Sequence, residues 1–163
     1  MLKKTCKTHL TAFELFVSLR GHEHPFILDS GMNEGGLGRY SFVGADPFLT
    51  FASKGEVCRV KDKNKTERVK KGDPFELLGK LLKQYPLQDD MDMPFTGGAV
   101  GYLGYDMCHF IENIPRRAVD DVQIPDCFFG FYDGIYMVDH QRGVVEMVAL
   151  GIDGDEKEKI AAM

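Results

Sequence analysis

The sequence predicts an α+β fold, antiparallel β-sheets with flanking helices, on three observations. First, the apolar runs Cys127 to Val138 and Val144 to Leu150 enclose the short polar turn His140-Gln141-Arg142-Gly143, a hairpin pattern. Second, short strand patterns follow one another through turn residues with few crossover helices between them, which favours antiparallel pairing. Third, 44% hydrophobic and 28% charged residues in a chain of 163 are the balance of a globular domain. That length buries roughly 70% of the unfolded surface without a metal or disulfide staple.

The first element is a helix. Thr11 and Glu14 form a T-x-x-E capping box, Leu15, Phe16 and Leu19 recur at helical spacing, and Gly21 suits the position just past the end. Pro25 reinforces the stop, and Phe26-Ile27-Leu28 reads as a short buried strand. Four glycines between Gly31 and Gly38 mark a loop. Strands follow at 40–44, 47–51 and 56–60, and the charged stretch 61–65 turns the chain into 66–70. That last strand is polar enough to guard a sheet edge. A second helix starts at Asp73-Pro74-Phe75-Glu76, an N-cap followed by proline at the first helical position. Leu77, Leu78, Leu81 and Leu82 form its apolar face, and Pro86 ends it. The acidic run Asp89-Asp90-Met91-Asp92 lacks the glycine and terminal glutamate of a calcium loop and reads as a solvated connection. Glycines 97, 98, 101 and 104 interrupt an apolar strand pattern, which calls for close backbone packing or a sharp bend. Residues 127–138 then read as one long apolar strand leading into the hairpin, and the polar tail from Asp153 as the first turns of a helix.

Several function classes fall on the same reading. A net charge of −5 argues against a nucleic-acid partner held by a basic surface. No stretch approaches the roughly 18 apolar residues of a membrane span, and no apolar run follows the basic N-terminus to make a signal peptide. Cys6, Cys58, Cys108 and Cys127 stand too far apart in sequence for a zinc motif and read as reduced, mostly buried thiols of a cytoplasmic protein.

Catalytic candidates are sparse. His22 and His24 share a turn without a third ligand nearby. His109 follows Cys108, but a nucleophile and its base need side-chain contact. His140 falls in the hairpin turn, and Ser30 lacks a G-x-S-x-G setting. The region from Asp29-Ser30 through the glycine loop to Arg39-Tyr40-Ser41 is more telling. A strand-end hydroxyl, loop N–H groups, a guanidinium and an aromatic ring together suit a small zwitterion. On composition alone the same residues favour a plainer arrangement, in which Arg39 makes a structural pair and the glycines only turn the chain.

These segments also carry a resemblance. Phe26-Ile27-Leu28-Asp29-Ser30, the run from Gly38-Arg39-Tyr40 to Asp46-Pro47, and Pro94 to Asp106 resemble the N-terminal domain of anthranilate synthase component I and para-aminobenzoate (aminodeoxychorismate) synthase component I. Ile124-Pro125-Asp126, Tyr132-Asp133 and Val138-Asp139-His140 continue the likeness in order, over nearly the whole chain. The resemblance implies a four-layer α/β/β/α fold and a cytoplasmic, chorismate-using enzyme that works with a glutamine amidotransferase subunit. It implies that residues 1–163 are an N-terminal domain without catalytic, cofactor or metal residues of its own. Chemistry and Mg²⁺ would then belong to a C-terminal chorismate-binding domain. It also implies a tryptophan pocket at Ser30, Leu37, Gly38, Arg39 and Tyr40. Where anthranilate synthases usually carry Leu-Leu-Glu-Ser, this chain has Ile-Leu-Asp-Ser, which favours the para-aminobenzoate type of folate synthesis. The anthranilate type, a free-standing amino-acid-binding module and an interface for the amidotransferase are the alternatives. By the same resemblance, the piece in isolation should expose apolar sheet surface and self-associate.

Overall fold

The computed structural model describes residues 1–30, 38–86, 93–115 and 119–163. The acidic run at 89–92, most of the glycine loop and Leu37 lie outside the described residues. The fold is α+β with two five-stranded antiparallel sheets, and the chain forms two compact units.

The first unit comprises Met1–Phe48, Leu87–Gly98 and Tyr132–Met163. Its strands are β1 (Leu2–Cys6), β2 (Phe26–Leu28), β3 (Tyr40–Gly44), β9 (Gly134–Asp139) and β10 (Val144–Ala149), in the order β1-β10-β9-β3-β2. Helices α1 (Ala12–Ser18) and α3 (Glu156–Ala162) pack on one face, where Val43, Tyr136, Val145 and Met147 meet Ala12, Leu15 and Ile160. The T-x-x-E box closes as the spacing requires: Thr11 Oγ1 accepts the Glu14 N–H at 3.2 Å, and Glu14 Oε2 accepts the Thr11 N–H at 2.8 Å. The helix ends at Ser18, short of Gly21. Asp155 caps α3 by accepting from Lys157 and Glu158.

The second unit comprises Leu49–Pro86 and Ala99–Phe131. It is built on β4 (Leu49–Lys54), β5 (Val57–Asp62), β6 (Glu67–Lys71), β7 (Gly98–Leu103) and β8 (Cys127–Tyr132), in the order β6-β5-β4-β8-β7. Helix α2 (Pro74–Gln84) belongs to it, with Asp73 Oδ1 accepting the Phe75 N–H at 2.8 Å. A 3₁₀ helix spans Tyr105–Phe110. The glycines of β7 serve close approach: a Cβ at Gly101 would lie 1.9 Å from the Phe128 carbonyl oxygen.

Two expectations change. Residues 127–138 are not one long strand but two, β8 and β9, each in a different sheet, divided at Asp133. Asp133 is fully buried; it accepts the Asp153 N–H, pairs with Lys159, and its carbonyl takes the Leu150 N–H at 2.8 Å. Those partners are all distant in sequence, so local apolarity hid the break. The N-terminal residues, given no element in the sequence reading, form β1. Its run Leu-Lys-Lys-Thr-Cys has little strand signature and is held by pairing along β10 from Leu2↔Ala149 to Cys6↔Val145.

All four cysteines are free; Cys58 and Cys127 are buried and Cys6 and Cys108 half-buried. Burial raises the Cys58 thiol and pushes Cys127 up to about 11, so neither carries thiolate near neutral pH.

Candidate functional site

The segments singled out in the sequence meet at one end of the first unit's sheet. Strand β2 ends at Leu28, and β3 returns antiparallel beside it with Phe26↔Gly44 and Leu28↔Phe42. The glycine loop therefore leaves and re-enters at adjacent points, and hydrogen bonds clip its two ends together. Ser30 Oγ donates to the Tyr40 carbonyl at 2.6 Å, and the Ser30 N–H donates to Ser41 Oγ at 3.0 Å.

Ser41 is fully buried and is the hub of this clip. Its hydroxyl donates to Asp29 Oδ1 at 2.7 Å and lies 2.7 Å from His140 Nε2. A hydroxyl has one proton to give. With that proton on Asp29, His140 Nε2 is the donor of the second contact, which fixes a chain His140→Ser41→Asp29. A serine and histidine at this distance can suggest a nucleophile and its base. Ser41 is sealed from solvent and already hydrogen-bonded to a carboxylate, so the arrangement positions the loop rather than attacks a substrate.

Arg39 forks onto Asp139, with Nη2 to Oδ2 at 2.8 Å and Nε to Oδ1 at 3.2 Å. Asp139 is buried and also accepts the N–H groups of Gln141 and Arg142, both at 3.0 Å. The hydrogen bonds from Arg39 hold the Asp139 carboxyl below its ordinary value, against the opposing effect of burial. The same bonds raise the guanidinium. Arg39 Nη1 has no hydrogen bond among the described residues.

An aromatic wall stands beside the guanidinium. Arg39 Cζ lies 4.7 Å from the centre of the Tyr40 ring, a cation–π contact. Tyr40 stacks on Phe42 with centroids 6.4 Å apart, and Phe42 meets Phe95 edge to face at 5.3 Å. Tyr40 and Phe42 alternate with Ser41 and Val43, so they occupy the sheet face away from α1 and α3. Glu146 is buried in β10, on the far side of β9 from β3; its Oε2 lies 3.2 Å from Lys3 Nζ but makes no well-directed hydrogen bond.

Of the residues picked from the sequence, Ser30, Arg39 and Tyr40 are brought together, and Gly38 is buried at the loop's return. Sequence reasoning included Ser41 in this region but missed Asp139 and His140 as parts of the same site. Asp139 and His140 lie about a hundred positions from the loop they hold, and only the β3·β9 register, Tyr40↔Asp139, connects them. His22 is instead paired with Asp46 at 2.6 Å on an exposed turn, and His109 Nε2 lies 3.7 Å from Asp106. Among the described residues no three His, Cys, Asp or Glu side chains are grouped to hold a metal ion. Nor is any helix long and apolar enough to cross a membrane.

Comparison with known proteins gives a consistent answer. Anthranilate synthase component 1 of Bacillus caldotenax is 37% identical over 155 residues, covering 91% of this chain and 30% of that protein. Aminodeoxychorismate synthase component 1 of Bacillus subtilis is 31% identical over 150 residues, again 91% of this chain and 30% of that protein. The chain thus spans about 30% of the length of the curated relatives it matches. The crystal structure of anthranilate synthase component I from Streptococcus pneumoniae superposes with a TM-score of 0.64 at 22% identity, over 98% of this chain and 34% of that one, and establishes the shared fold. No family model matches the chain.

Proposed function

Because the chain is homologous to the N-terminal region of anthranilate synthase and aminodeoxychorismate synthase component I, we propose that it is the non-catalytic N-terminal part of a chorismate-aminating component I. The observation that carries this reading is an alignment over 91% of the chain that occupies only 30% of each relative. Amination would then fall to the remainder of the protein, together with Mg²⁺ and with ammonia from an amidotransferase component II, in the cytoplasm.

What these residues do is hold a ligand and keep it oriented. The clip from Ser30 to Tyr40 and Ser41 sets the loop, the Tyr40–Phe42–Phe95 wall accepts a planar apolar ring, and Arg39 Nη1 faces a carboxylate. Tryptophan combines such a ring with such a carboxylate. Asp29 sits at hydrogen-bond distance from Ser41, and a shorter acid in this place supports the aminodeoxychorismate type. The 37% identity to an anthranilate synthase supports the anthranilate type as a second reading.

Two measurements test the proposal. Calorimetry with tryptophan, on the chain joined to its remainder, should show saturable binding that Arg39→Ala weakens roughly tenfold, as loss of a charge-assisted contact does. Equal affinities would remove Arg39 from the pocket. Product analysis of the same protein, 4-amino-4-deoxychorismate against anthranilate, separates the two types. Turnover of chorismate and ammonia by residues 1–163 alone would refute the non-catalytic role.

The second unit carries apolar side chains in water: Leu103, Tyr105, Ile111, Val119 and Val122 are all more than half exposed, Tyr105 at 87%. In the proposed role the remainder of the protein covers them. Residues 1–163 alone should therefore self-associate in sedimentation at tens of micromolar, and a monodisperse monomer would count against this cover.

A further inference from the structure

Strand β6 breaks the alternation that its place in the sheet calls for. Its neighbour β5 presents Cys58 and Val60 to the face covered by α2, and the register places Lys70 opposite Cys58 and Arg68 opposite Val60. The cations of β6 thus share a face with a buried thiol and a half-buried valine. The strand's one apolar residue, Val69, is 55% exposed. Helix α2 approaches the same face with Leu77 and Leu81. Between helix and strands lies a cavity of about 240 Å³, open at one side, floored by Phe51, Val60 and the two leucines. Arg68, Lys70 and Lys80 stand around its mouth, and among the described residues no carboxylate lines it. Among the described residues the side chains of Arg68 and Lys70 make neither an ion pair nor a hydrogen bond, and Lys80 has only a 3.5 Å surface contact with Glu76.

We propose that this cavity binds a small amphiphilic carboxylate, its aliphatic or aryl tail against Phe51, Val60, Leu77 and Leu81 and its anionic head between Arg68, Lys70 and Lys80. Charge complementarity selects the anion, since among the described residues Arg68 and Lys70 face the opening without an acid partner and Lys80 has only its surface contact with Glu76. The apolar floor selects a tail, because a purely inorganic anion would leave the half-buried Val60, Leu77 and Leu81 uncovered. Size selects a short one: the volume falls below the roughly 300 Å³ at which drug-sized pockets begin. Inward-facing charge on an edge strand also discourages pairing with other chains. That role needs no cavity, and it makes the opposite prediction for ligand binding. The site lies wholly within the second unit and is independent of the tryptophan reading.

Titration of the 163-residue chain with sodium octanoate, followed by backbone amide chemical shifts, tests the proposal. Saturable shifts confined to β4, β5, β6 and α2 are expected, with a dissociation constant at or below about 1 mM. Octanamide, with nearly the same tail and no charge, should bind at least tenfold more weakly, and raising sodium chloride from 50 to 500 mM should weaken octanoate binding. Arg68→Gln/Lys70→Gln should reduce affinity at least tenfold. Leu81→Gln should do the same through the tail, each variant first shown to be folded by circular dichroism. Equal binding of octanamide, shifts located elsewhere, or no saturable response by 10 mM would overturn the site and leave the β6 cations as edge guards.

Discussion

Asp139→Ala is expected to destabilise the first unit by about 3 kcal/mol at neutral pH, measured by urea denaturation. The carboxylate is almost sealed from water and collects four hydrogen bonds at 2.8 to 3.2 Å, from Arg39 Nη2 and Nε and the N–H groups of Gln141 and Arg142. Arg39 is partly solvated and can turn to water when its partner is lost. The cost therefore comes mainly from the two turn N–H groups, each worth about 1.5–3 kcal/mol against a charged acceptor. The pH dependence has a definite sign. The folded Asp139 carboxyl lies below its ordinary value because Arg39 donates to it, so its contribution is full above the unfolded value of about 3.9. It is lost as pH falls below that and through the depressed folded value. Asp139→Asn keeps an acceptor for the turn but has no titration. The variant should lose less stability than wild type between pH 6 and pH 3, and equal losses would refute the assignment. Because Asp139 closes the β9–β10 turn and also holds Arg39, the proposed ligand-holding role predicts that Asp139→Ala lowers tryptophan affinity along with stability.

Gly101→Ala is expected to cost about 3 kcal/mol, the upper range of overpacking penalties, and to strip β7 from β8. The added Cβ would fall 1.9 Å from the Phe128 carbonyl oxygen and 2.7 Å from the Phe129 Cα. Both are backbone atoms of a strand held on its other side by β4, so no rotamer change relieves the clash. Gly79→Ala in α2 is the matching control. A Cβ there meets nothing within 4 Å, and a helix-interior glycine gives up about 1 kcal/mol to alanine. That variant should be the more stable one. A cost below about 1 kcal/mol for Gly101→Ala would mean that β7 is not packed against β8 as described.

Local chemistry made much of this molecule legible before any coordinates. The capping box at Thr11, the Asp73-Pro74 start of α2 and the hairpin at Gly143 act over three to five residues, and each forms as its spacing requires. The glycines of β7 announced close backbone approach, because only a missing side chain explains glycine repeated in an apolar strand. At the site, the run from Asp29-Ser30 to Arg39-Tyr40 was visible, since polar and aromatic groups flank a glycine loop. Its supports were not. Nothing in the sequence near position 40 points to Asp139 or His140, nor does the apolar run from Cys127 to Val138 mark Asp133 as the place where it divides between two sheets.

The sequence by itself determined the elements, the polar loop between β2 and β3, and the kinship of the chain with component I proteins, since propensity, capping and motif order are written in neighbouring residues. Tertiary structure alone decided the strand order β1-β10-β9-β3-β2, the burial of Asp133 and Asp139, and the use of Arg39 as a partner of Asp139. Those outcomes depend on which distant strand becomes a neighbour. The free energy that settles it, burial of one face of a whole sheet against α1 and α3, belongs to no single segment.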